Sequence, residues 1–162
     1  MTPAEASRLA TADDLPELER LATAAVAEQR DDRGGWVSSR REFRPEPYGA
    51  SFRAALDDPT AEVWVGTFGD VAVGYSAAHV ESLRDGSPLA VVDDLYVESA
   101  ARGVGVGEAL MSDVVAWATE RGCVGIDGWV LPGNRASKNF FETFGFTARG
   151  IVVHRSLRPP EP

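Results

Sequence analysis

Hydrophobic positions recur with two different spacings along the chain, and these predict a mixture of helices and strands. Between residues 15 and 26 the apolar side chains return every three or four positions, which indicates one buried helix face, capped by Thr11 or Asp13. Other segments alternate apolar and polar residues between turns, as strands do. In chain order the predicted elements are a strand at Ser7–Thr11, a helix ending near Gln29, a short helix at Ser51–Asp57, strands at Ala61–Phe68, Val71–Ser82 and Leu89–Val97, a helix ending near Gly122, a strand at Cys123–Val130, a helix from about Asn134 to Gly145 and a strand at Thr147–Leu157.

This order predicts an α/β (α+β) fold in which a mixed, mostly antiparallel sheet carries helices on both faces. Residues 1–162, with 44% hydrophobic content, suit one globular domain, and no second domain is needed. The helix between Val91–Val97 and Val124–Val130 is a crossover, so those two strands are expected to be parallel neighbours.

A glycine-rich turn stands between the strand ending at Val97 and the next helix. Its sequence, with glycine at every second position, is Arg102-Gly103-Val104-Gly105-Val106-Gly107. Backbone N–H groups can approach a ligand closely there, and the start of the helix adds unpaired donors and a positive dipole end, which predicts a pyrophosphate site. Two known phosphate-binding motifs are excluded. The dinucleotide fingerprint requires a glycine where Glu108 stands, and the triphosphate-binding loop requires a Gly-Lys-Ser/Thr ending that is absent. A tight turn without a ligand is the alternative.

Two motifs occur in a fixed order in the second half of the chain. The first, after the strand, is Arg102-x-x-Gly105-x-Gly107. The second is Asn134-x-x-Ser137-x-x-x-Phe141-x-x-x-Gly145-Phe146. Together they resemble the coenzyme A signature and the Asn-x-x-Ala-x-x-x-Tyr-x-x-x-Gly-Phe block of the GNAT superfamily of N-acetyltransferases. The resemblance is clearest from about Val63 to Phe146, and it implies the GNAT fold, whose two parallel central strands splay apart at their C-terminal ends.

By this resemblance the cofactor is acetyl-coenzyme A, a co-substrate used without a metal. Its pyrophosphate would meet backbone N–H groups of the glycine turn, and its pantetheine arm would bond the backbone of the preceding strand and touch Asn134. The residues expected to bind it are Leu95, Val97, Arg102, Gly103, Val104, Gly105, Val106, Gly107, Glu108, Asn134 and Phe141.

Two departures from the family leave the catalytic acid and base open. The family often has a tyrosine that protonates the leaving thiolate where Phe141 stands, and Phe141 has no hydroxyl. Some members place a glutamate base where Trp129 stands. The candidates that remain are Asp93 or Asp94 as base and Tyr96 or Tyr48 as acid.

The acceptor substrate is expected to meet aromatic residues. The Gly- and Pro-rich segment Asp31–Gly49 carries Trp36 and Tyr48, and in the resembling family the region between the first two helices forms one wall of the acceptor site. Asp127 and Trp129, on the second parallel strand, are the other candidates. For each aromatic, packing of the loop onto the domain is the alternative.

The charge balance favours a cationic partner. A net charge of −9 argues against nucleic acid, although it also serves solubility. The single cysteine, Cys123, allows no internal disulfide, and with two isolated histidines it makes no metal site. No basic N-terminus leads into an apolar run, so we expect no signal peptide, no membrane partner and a cytoplasmic location.

The resemblance implies a transferase, an acyltransferase that moves an acetyl group from acetyl-coenzyme A to a primary amine by direct attack in a ternary complex. The acidic charge balance favours a small cationic molecule as the acceptor. A protein N-terminus or lysine is an alternative acceptor. A catalytically inactive acyl-coenzyme A binding regulatory module is the alternative class, which Phe141 makes credible. A homodimer is one expectation for the assembly.

Overall fold

The computed structural model describes residues 4–159, which form one sheet with helices on both faces. The strands are β1 Glu5–Leu9, β2 Ala61–Phe68, β3 Val71–Ser82, β4 Pro88–Val97 and β5 Ile126–Gly128. The helices are α1 Leu15–Gln29, α2 Gly35–Ser38, α3 Tyr48–Asp57, α4 Val106–Glu120 and α5 Arg135–Thr143. Short 3-10 turns at Ala12–Asp14 and Ser99–Ala101 precede α1 and the glycine turn.

The five strands lie in the sheet in chain order. Each of the pairs β1–β2, β2–β3 and β3–β4 is antiparallel, while β5 runs parallel to β4. The parallel pair arises because α4 carries the chain back across the sheet before β5, as a crossover connection requires. The predicted mixed α/β fold is therefore confirmed.

Two hydrophobic clusters cover the two faces of the sheet. On one face Leu18 and Leu21 of α1 and Phe52 of α3 are fully buried against the sheet, where Phe52 meets Tyr75 edge to face at 5.4 Å. On the other face α4 and α5 supply a second cluster, whose core residues include Leu110, Met111, Val114, Trp117 and Phe141. Burial on both faces holds the sheet between two helical layers.

The two central strands stay together for only three residue pairs. Ala90–Val92 of β4 pairs with Ile126–Gly128 of β5, and β4 then continues to Val97 paired with β3 only. The β3–β4 register also shifts at this point, because Ala77 faces Asp94 while Ala78 faces Val92. Asp93 is thus an extra residue in a β-bulge, a feature that bends a strand and redirects its side chains. A notch opens between β4 and the chain after β5.

The structure corrects two predicted strands. The strand expected at Cys123–Val130 is only three residues long, since the chain leaves the sheet after Gly128. The strand expected at Thr147–Leu157 is wrong: these residues adopt no regular secondary structure. Their sequence favours a strand, but a strand also needs a neighbouring backbone to bond, and none within residues 4–159 pairs with this segment.

Helix α1 begins at Leu15 with Asp14 as its N-cap, so neither predicted cap, Thr11 or Asp13, caps it; Thr11 is the N-cap of the 3-10 turn before it. Asp14 accepts a hydrogen bond of 2.8 Å from the Thr11 backbone N–H and pairs with Arg8, which orders the turn before the helix. Pro16 lies in the first turn, where a missing N–H costs little. Within residues 4–159, none of the helices is both long and apolar enough to cross a membrane.

Candidate active site

The glycine turn leads directly into α4, so the first N–H groups of this 15-residue helix face the notch. Gly103 and Gly105 have φ values of +82° and +100°, in the region that side chains rarely adopt. A Cβ on Gly105 would also lie 2.9 Å from Cγ of Glu5. The backbone therefore needs glycine here to turn from the end of β4 into the helix.

A cavity of about 390 Å³ lies beside this turn. It is lined by eight of the eleven residues predicted to bind the cofactor: Leu95, Val97, Arg102, Gly103, Gly107, Glu108, Asn134 and Phe141. The other three lie outside its lining: Val104 is exposed, Gly105 precedes α4, and Val106 is a buried residue at the start of α4. The cavity thus joins the end of β4, the glycine turn and α5.

Arg102 is engaged within the cavity by the protein itself. Its Nη2 donates to both carboxylate oxygens of Glu28 at 2.9 Å, and its Nε donates to the Val97 carbonyl oxygen at 2.8 Å. A ligand that used the Val97 carbonyl or the Arg102 charge would have to share or displace these bonds. The sequence pattern did not point to Glu28, because it lies near the end of α1, far along the chain from Arg102.

Asn134 caps α5. Its side-chain oxygen accepts the Ser137 N–H at 3.1 Å, so its amide nitrogen is the group it can offer to a ligand as a donor. Phe141 is nearly buried and meets Phe146 edge to face at 5.0 Å. Phe141 is therefore part of the packing that closes the notch behind the cavity.

A second, smaller cavity of about 70 Å³ adjoins the first on the side of the β4 bulge. Side chains from α1, the segment before α3, β4 and the chain after β5 surround it, among them Arg44, Asp93, Asp94 and Trp129. The residues that line both cavities are Gln29, Leu95, Tyr96, Asn134, Ser137 and Phe141. These shared residues mark the place where ligands in the two cavities would meet.

Asp94 forms a buried ion pair with Arg44. The guanidinium lies 2.6 Å from the carboxylate, and the two side chains are only 7% and 11% exposed. Burial raises the pKa of Asp94, and the charge and hydrogen bond of Arg44 offset part of that rise. Arg44 also donates to Ser51 Oγ at 2.9 Å and lies 4.1 Å over the ring of Phe52. This pair fixes the segment before α3 to the sheet.

Asp93 points to the other side of β4 and contacts a histidine. His79 Nδ1 lies 2.9 Å from both Asp93 oxygens, while its Nε2 lies 3.0 Å from Glu81. Burial lowers the pKa of His79, but the two carboxylates outweigh burial and raise it overall. Because both ring nitrogens face carboxylates, the charged imidazolium is favoured and His79 is a poor base.

Tyr96 stands between the two cavities. Partial burial, together with the neighbouring Glu28, raises the pKa of its hydroxyl, so the group stays protonated at neutral pH. Its ring lies 5.7 Å from the Arg102 guanidinium carbon. Tyr96 therefore offers a hydroxyl proton at the junction of the cavities.

The four residues predicted to bind the acceptor lie in different surroundings. Trp129 lines the smaller cavity, whereas Asp127 pairs with Arg149, which lowers the pKa of the Asp127 carboxyl. Tyr48 is buried among the side chains of α1 and α3. Trp36 is 42% exposed, with the Arg40 guanidinium 4.2 Å from its ring centroid.

The arrangement suits an acyl-coenzyme A ligand. The cavity is large enough for the pantetheine and pyrophosphate portion of such a ligand, a helix N-terminus and glycine backbone face it, and β4 presents an edge that β5 has left. Within the described residues 4–159, no three His, Cys, Asp or Glu side chains come together as a metal site would need.

The parted parallel pair and the glycine turn at a helix start are those that the resemblance in the sequence implies. The sequence profile of the acetyltransferase (GNAT) family matches residues 22–146, more than half of the chain. The protein therefore belongs to the GNAT acetyltransferase family, as its motifs predict.

Solved structures agree on the fold. The tetramutant of the BH1408 protein from Bacillus halodurans superposes with a TM-score of 0.79 at 22% identity, covering 93% of this chain and 99% of that one. An aminoglycoside acetyltransferase, meta-AAC0020, from an uncultured soil metagenomic sample in complex with sisomicin gives 0.70 at 21% identity, covering 96% and 97%. AAC(6')-Iy in complex with a bisubstrate analogue, CoA-S-monomethyl-acetylneamine, gives 0.73 at 19% identity, covering 96% and 99%. No curated protein matches the chain at the level that marks a relative.

Proposed function

We propose that the protein transfers an acetyl group from acetyl-coenzyme A to a primary amine of a small molecule. The observation that carries this proposal is the shared lining of the two cavities: one cavity reaches the glycine turn, the other reaches two aspartates, and six residues border both. A thioester in the first and an amine in the second would be in contact, and such contact supplies much of the rate of a bimolecular reaction.

In this proposal the larger cavity binds the co-substrate. The N–H groups at the start of α4 and the glycine turn bind the pyrophosphate, the exposed edge of β4 at Leu95 and Val97 binds the pantetheine arm, and the Asn134 amide donates to the same arm. Arg102 contributes charge once it leaves the Val97 carbonyl, and Phe141 packs beside the arm.

The smaller cavity binds the amine. Asp94 places a carboxylate at this cavity, whereas Asp93 borders it but turns its carboxylate towards His79. The net charge of −9 favours a cationic acceptor. Asp94, whose pKa burial raises, accepts the proton that the attacking amine loses, through a water molecule. Trp129 and Trp36 contribute apolar surface on the acceptor side. Tyr48 packs behind this surface, and Asp127 adds a carboxylate.

Tyr96 supplies the proton that the departing thiolate needs. Phe141, at the position of the usual family donor, has no hydroxyl, whereas Tyr96 lines both cavities and its hydroxyl stays protonated at neutral pH. The new amide bond forms as the carbon–sulfur bond breaks, so the amine loses one proton and the thiolate gains one.

A thiol-release assay tests the proposal. The protein is incubated with acetyl-coenzyme A and a panel of small amines, protein N-terminal peptides and lysine peptides, and free thiol is followed. We expect turnover that depends on a small primary amine. The complex of AAC(6')-Iy, a protein of similar fold, with a bisubstrate analogue supports this choice of acceptor. Turnover only with peptides would overturn the choice of acceptor.

The alternative is a regulatory module that binds acyl-coenzyme A without catalysis, which the phenylalanine at position 141 favours. Calorimetry separates the two. Tight binding of coenzyme A with no thiol release on any amine would establish the module, whereas binding together with turnover would exclude it.

A further inference from the structure

The residues that line both cavities surround the place where a thioester would react. Sulfur joins the pantetheine arm to the acetyl group, so an arm in the larger cavity and an amine in the smaller one place the sulfur at the border between them. When the carbon–sulfur bond breaks, its electron pair stays on sulfur. A hydrogen-bond donor at this border would therefore stabilise the charge that develops there.

One face of α5, with its N-cap, turns towards this border. Asn134, Ser137 and Phe141 are spaced three and four positions apart, which brings them to the same side of a helix, and all three line both cavities. Their neighbours Ala136 and Phe140 line the larger cavity only. Ser137 is therefore the residue of α5 that carries a hydroxyl on the border face.

The hydroxyl of Ser137 is not used by the protein itself. Within the described residues 4–159 it has no hydrogen-bond partner, whereas the backbone N–H of Ser137 donates to the Asn134 side-chain oxygen at 3.1 Å. The side chain is half-buried. A half-buried hydroxyl with an unused proton, at the border of two cavities, is available to a ligand.

The other border residues offer no equivalent donor. Two of the six have apolar side chains. The Gln29 amide nitrogen lies 3.5 Å from the Ala25 carbonyl oxygen of its own helix. The Asn134 amide is proposed to bond the pantetheine arm, and the Tyr96 hydroxyl is the proposed proton donor. The hydroxyl of Ser137 is thus the donor that the proposed reaction has not yet used.

The start of α5 adds to the effect of this hydroxyl. Ser137 lies in the first turn of the nine-residue helix, where the helix dipole places partial positive charge. Helix N-termini stabilise thiolates and so lower the pKa of a thiol. A sulfur atom beside Ser137 would meet a hydroxyl donor and the positive end of a helix together.

We propose that the Ser137 hydroxyl donates a hydrogen bond to the sulfur of acetyl-coenzyme A and stabilises the thiolate as it leaves. This inference rests on the proposed function and adds a catalytic residue to it. The carbon–nitrogen bond forms, the carbon–sulfur bond breaks, and the electron pair goes to sulfur. Ser137 keeps its own proton, because a serine hydroxyl is a far weaker acid than a thiol. The amine gives its proton to Asp94, and the thiolate takes one from Tyr96.

A titration of bound coenzyme A tests this contact without an acceptor amine. The thiolate absorbs ultraviolet light, so a pH titration of the protein saturated with coenzyme A, against protein saturated with desulfo-coenzyme A, gives the pKa of the bound thiol. In the wild type we expect this pKa to lie below that of free coenzyme A. Ser137→Ala should raise it by about one unit, a tenfold loss of acidity, because hydrogen bonds to anions are strong.

Two variants of α5 are the controls. Thr143→Ala removes the other hydroxyl of the helix, which donates to the Phe140 carbonyl oxygen at 2.6 Å and lines neither cavity, so the pKa of the bound thiol should not change. Ser137→Thr keeps a hydroxyl at the border and should stay close to the wild type.

Turnover supplies a second measurement. With an amine that the wild type accepts, Ser137→Ala should lower kcat about tenfold and leave KM for acetyl-coenzyme A within about twofold, because the hydrogen bond strengthens as charge develops on sulfur. Ser137→Thr should restore most of the lost kcat.

The outcomes separate this contact from the proposed function. Equal pKa values of the bound thiol in the wild type and Ser137→Ala overturn the contact, whatever the turnover. An equal rise in Thr143→Ala also overturns it, because the change would then come from the helix as a whole. A rise confined to Ser137→Ala, with no turnover of any amine by the wild type, establishes the contact and overturns the proposed transfer. A wild type that does not bind coenzyme A overturns both.

Discussion

The two ends of the notch are built from different parts of the chain. The end proposed to bind the cofactor, here called the cofactor end, is formed largely by one continuous stretch: the end of β4, the glycine turn and the first turn of α4. Residues of α1 and α5 complete its lining. The end proposed to bind the acceptor, here called the acceptor end, consists of side chains brought together from distant segments, such as Arg44 with Asp94. A backbone site depends on local conformation, while a side-chain site depends on the whole fold.

This difference predicts opposite responses to substitution. Changes at the cofactor end should alter binding with little loss of stability, because exposed glycine positions support no packing. Changes at the acceptor end should alter stability as well, since its carboxylate is also part of a buried ion pair that fixes the segment before α3.

The largest effect is expected at Asp94. Asp94→Ala leaves Arg44 buried without its partner, which should cost about 3–5 kcal/mol of unfolding free energy. Urea denaturation followed by fluorescence measures this loss. Glu142→Ala, which breaks the exposed pair with Lys138, is the control and should cost less than about 1 kcal/mol. Equal losses in the two variants would show that the acceptor end is not held by its ion pair.

The next effect concerns catalysis at the junction. Tyr96→Phe removes the proposed proton donor and should lower kcat about a hundredfold. Calorimetry should show coenzyme A affinity within about threefold of the wild type, because the hydroxyl acts on the leaving thiolate rather than on binding. An unchanged kcat would mean that the thiolate receives its proton elsewhere.

A smaller effect is expected at the glycine turn, where two glycines form a matched pair. Gly103 and Gly86 have φ values of +82° and +87°, and an added Cβ meets nothing within 4 Å at either position. Gly103→Asp, in the cavity, should weaken coenzyme A binding at least about tenfold by repelling the pyrophosphate. Gly86→Asp, in the β3–β4 turn, bears the same backbone strain and should bind normally. Equal affinities in calorimetry would place the pyrophosphate elsewhere.

The smallest effect is expected at Glu28, which contacts Arg102 inside the cavity. Glu28→Gln frees the guanidinium and removes a negative charge, so coenzyme A should bind about threefold more tightly, in line with the worth of an exposed ion pair. Competition binding with coenzyme A measures the change. Weaker binding in this variant would show instead that Glu28 orients Arg102 for the ligand.

The conformation of the glycine turn and of the start of α5 could be predicted from the sequence because the signals are local. Gly103 and Gly105 occupy positions with positive φ, and Asn134 caps α5, so residue type and conformation are linked within a few positions. The sheet and its parallel pair follow from the order of elements, and the family profile agrees.

The arrangement of the acceptor end and the conformation of residues 147–157 could not be predicted from the sequence, for a physical reason. The Asp93 bulge, the Arg44–Asp94 pair and the Glu28–Arg102 pair all depend on which strands and helices become neighbours. Strand propensity at Thr147–Leu157 predicts extended backbone, but a strand also needs a neighbour to pair with. Within residues 4–159 no strand pairs with this segment.

Hydrogen–deuterium exchange with and without coenzyme A tests the central claim most directly, because it reports which backbone N–H groups the ligand covers. The account predicts slower exchange at residues 95–97 and 103–108 on addition of coenzyme A, and unchanged exchange in the β3–β4 turn at residues 84–87. Protection elsewhere with none at residues 103–108 would contradict the assignment of the notch as the coenzyme A site.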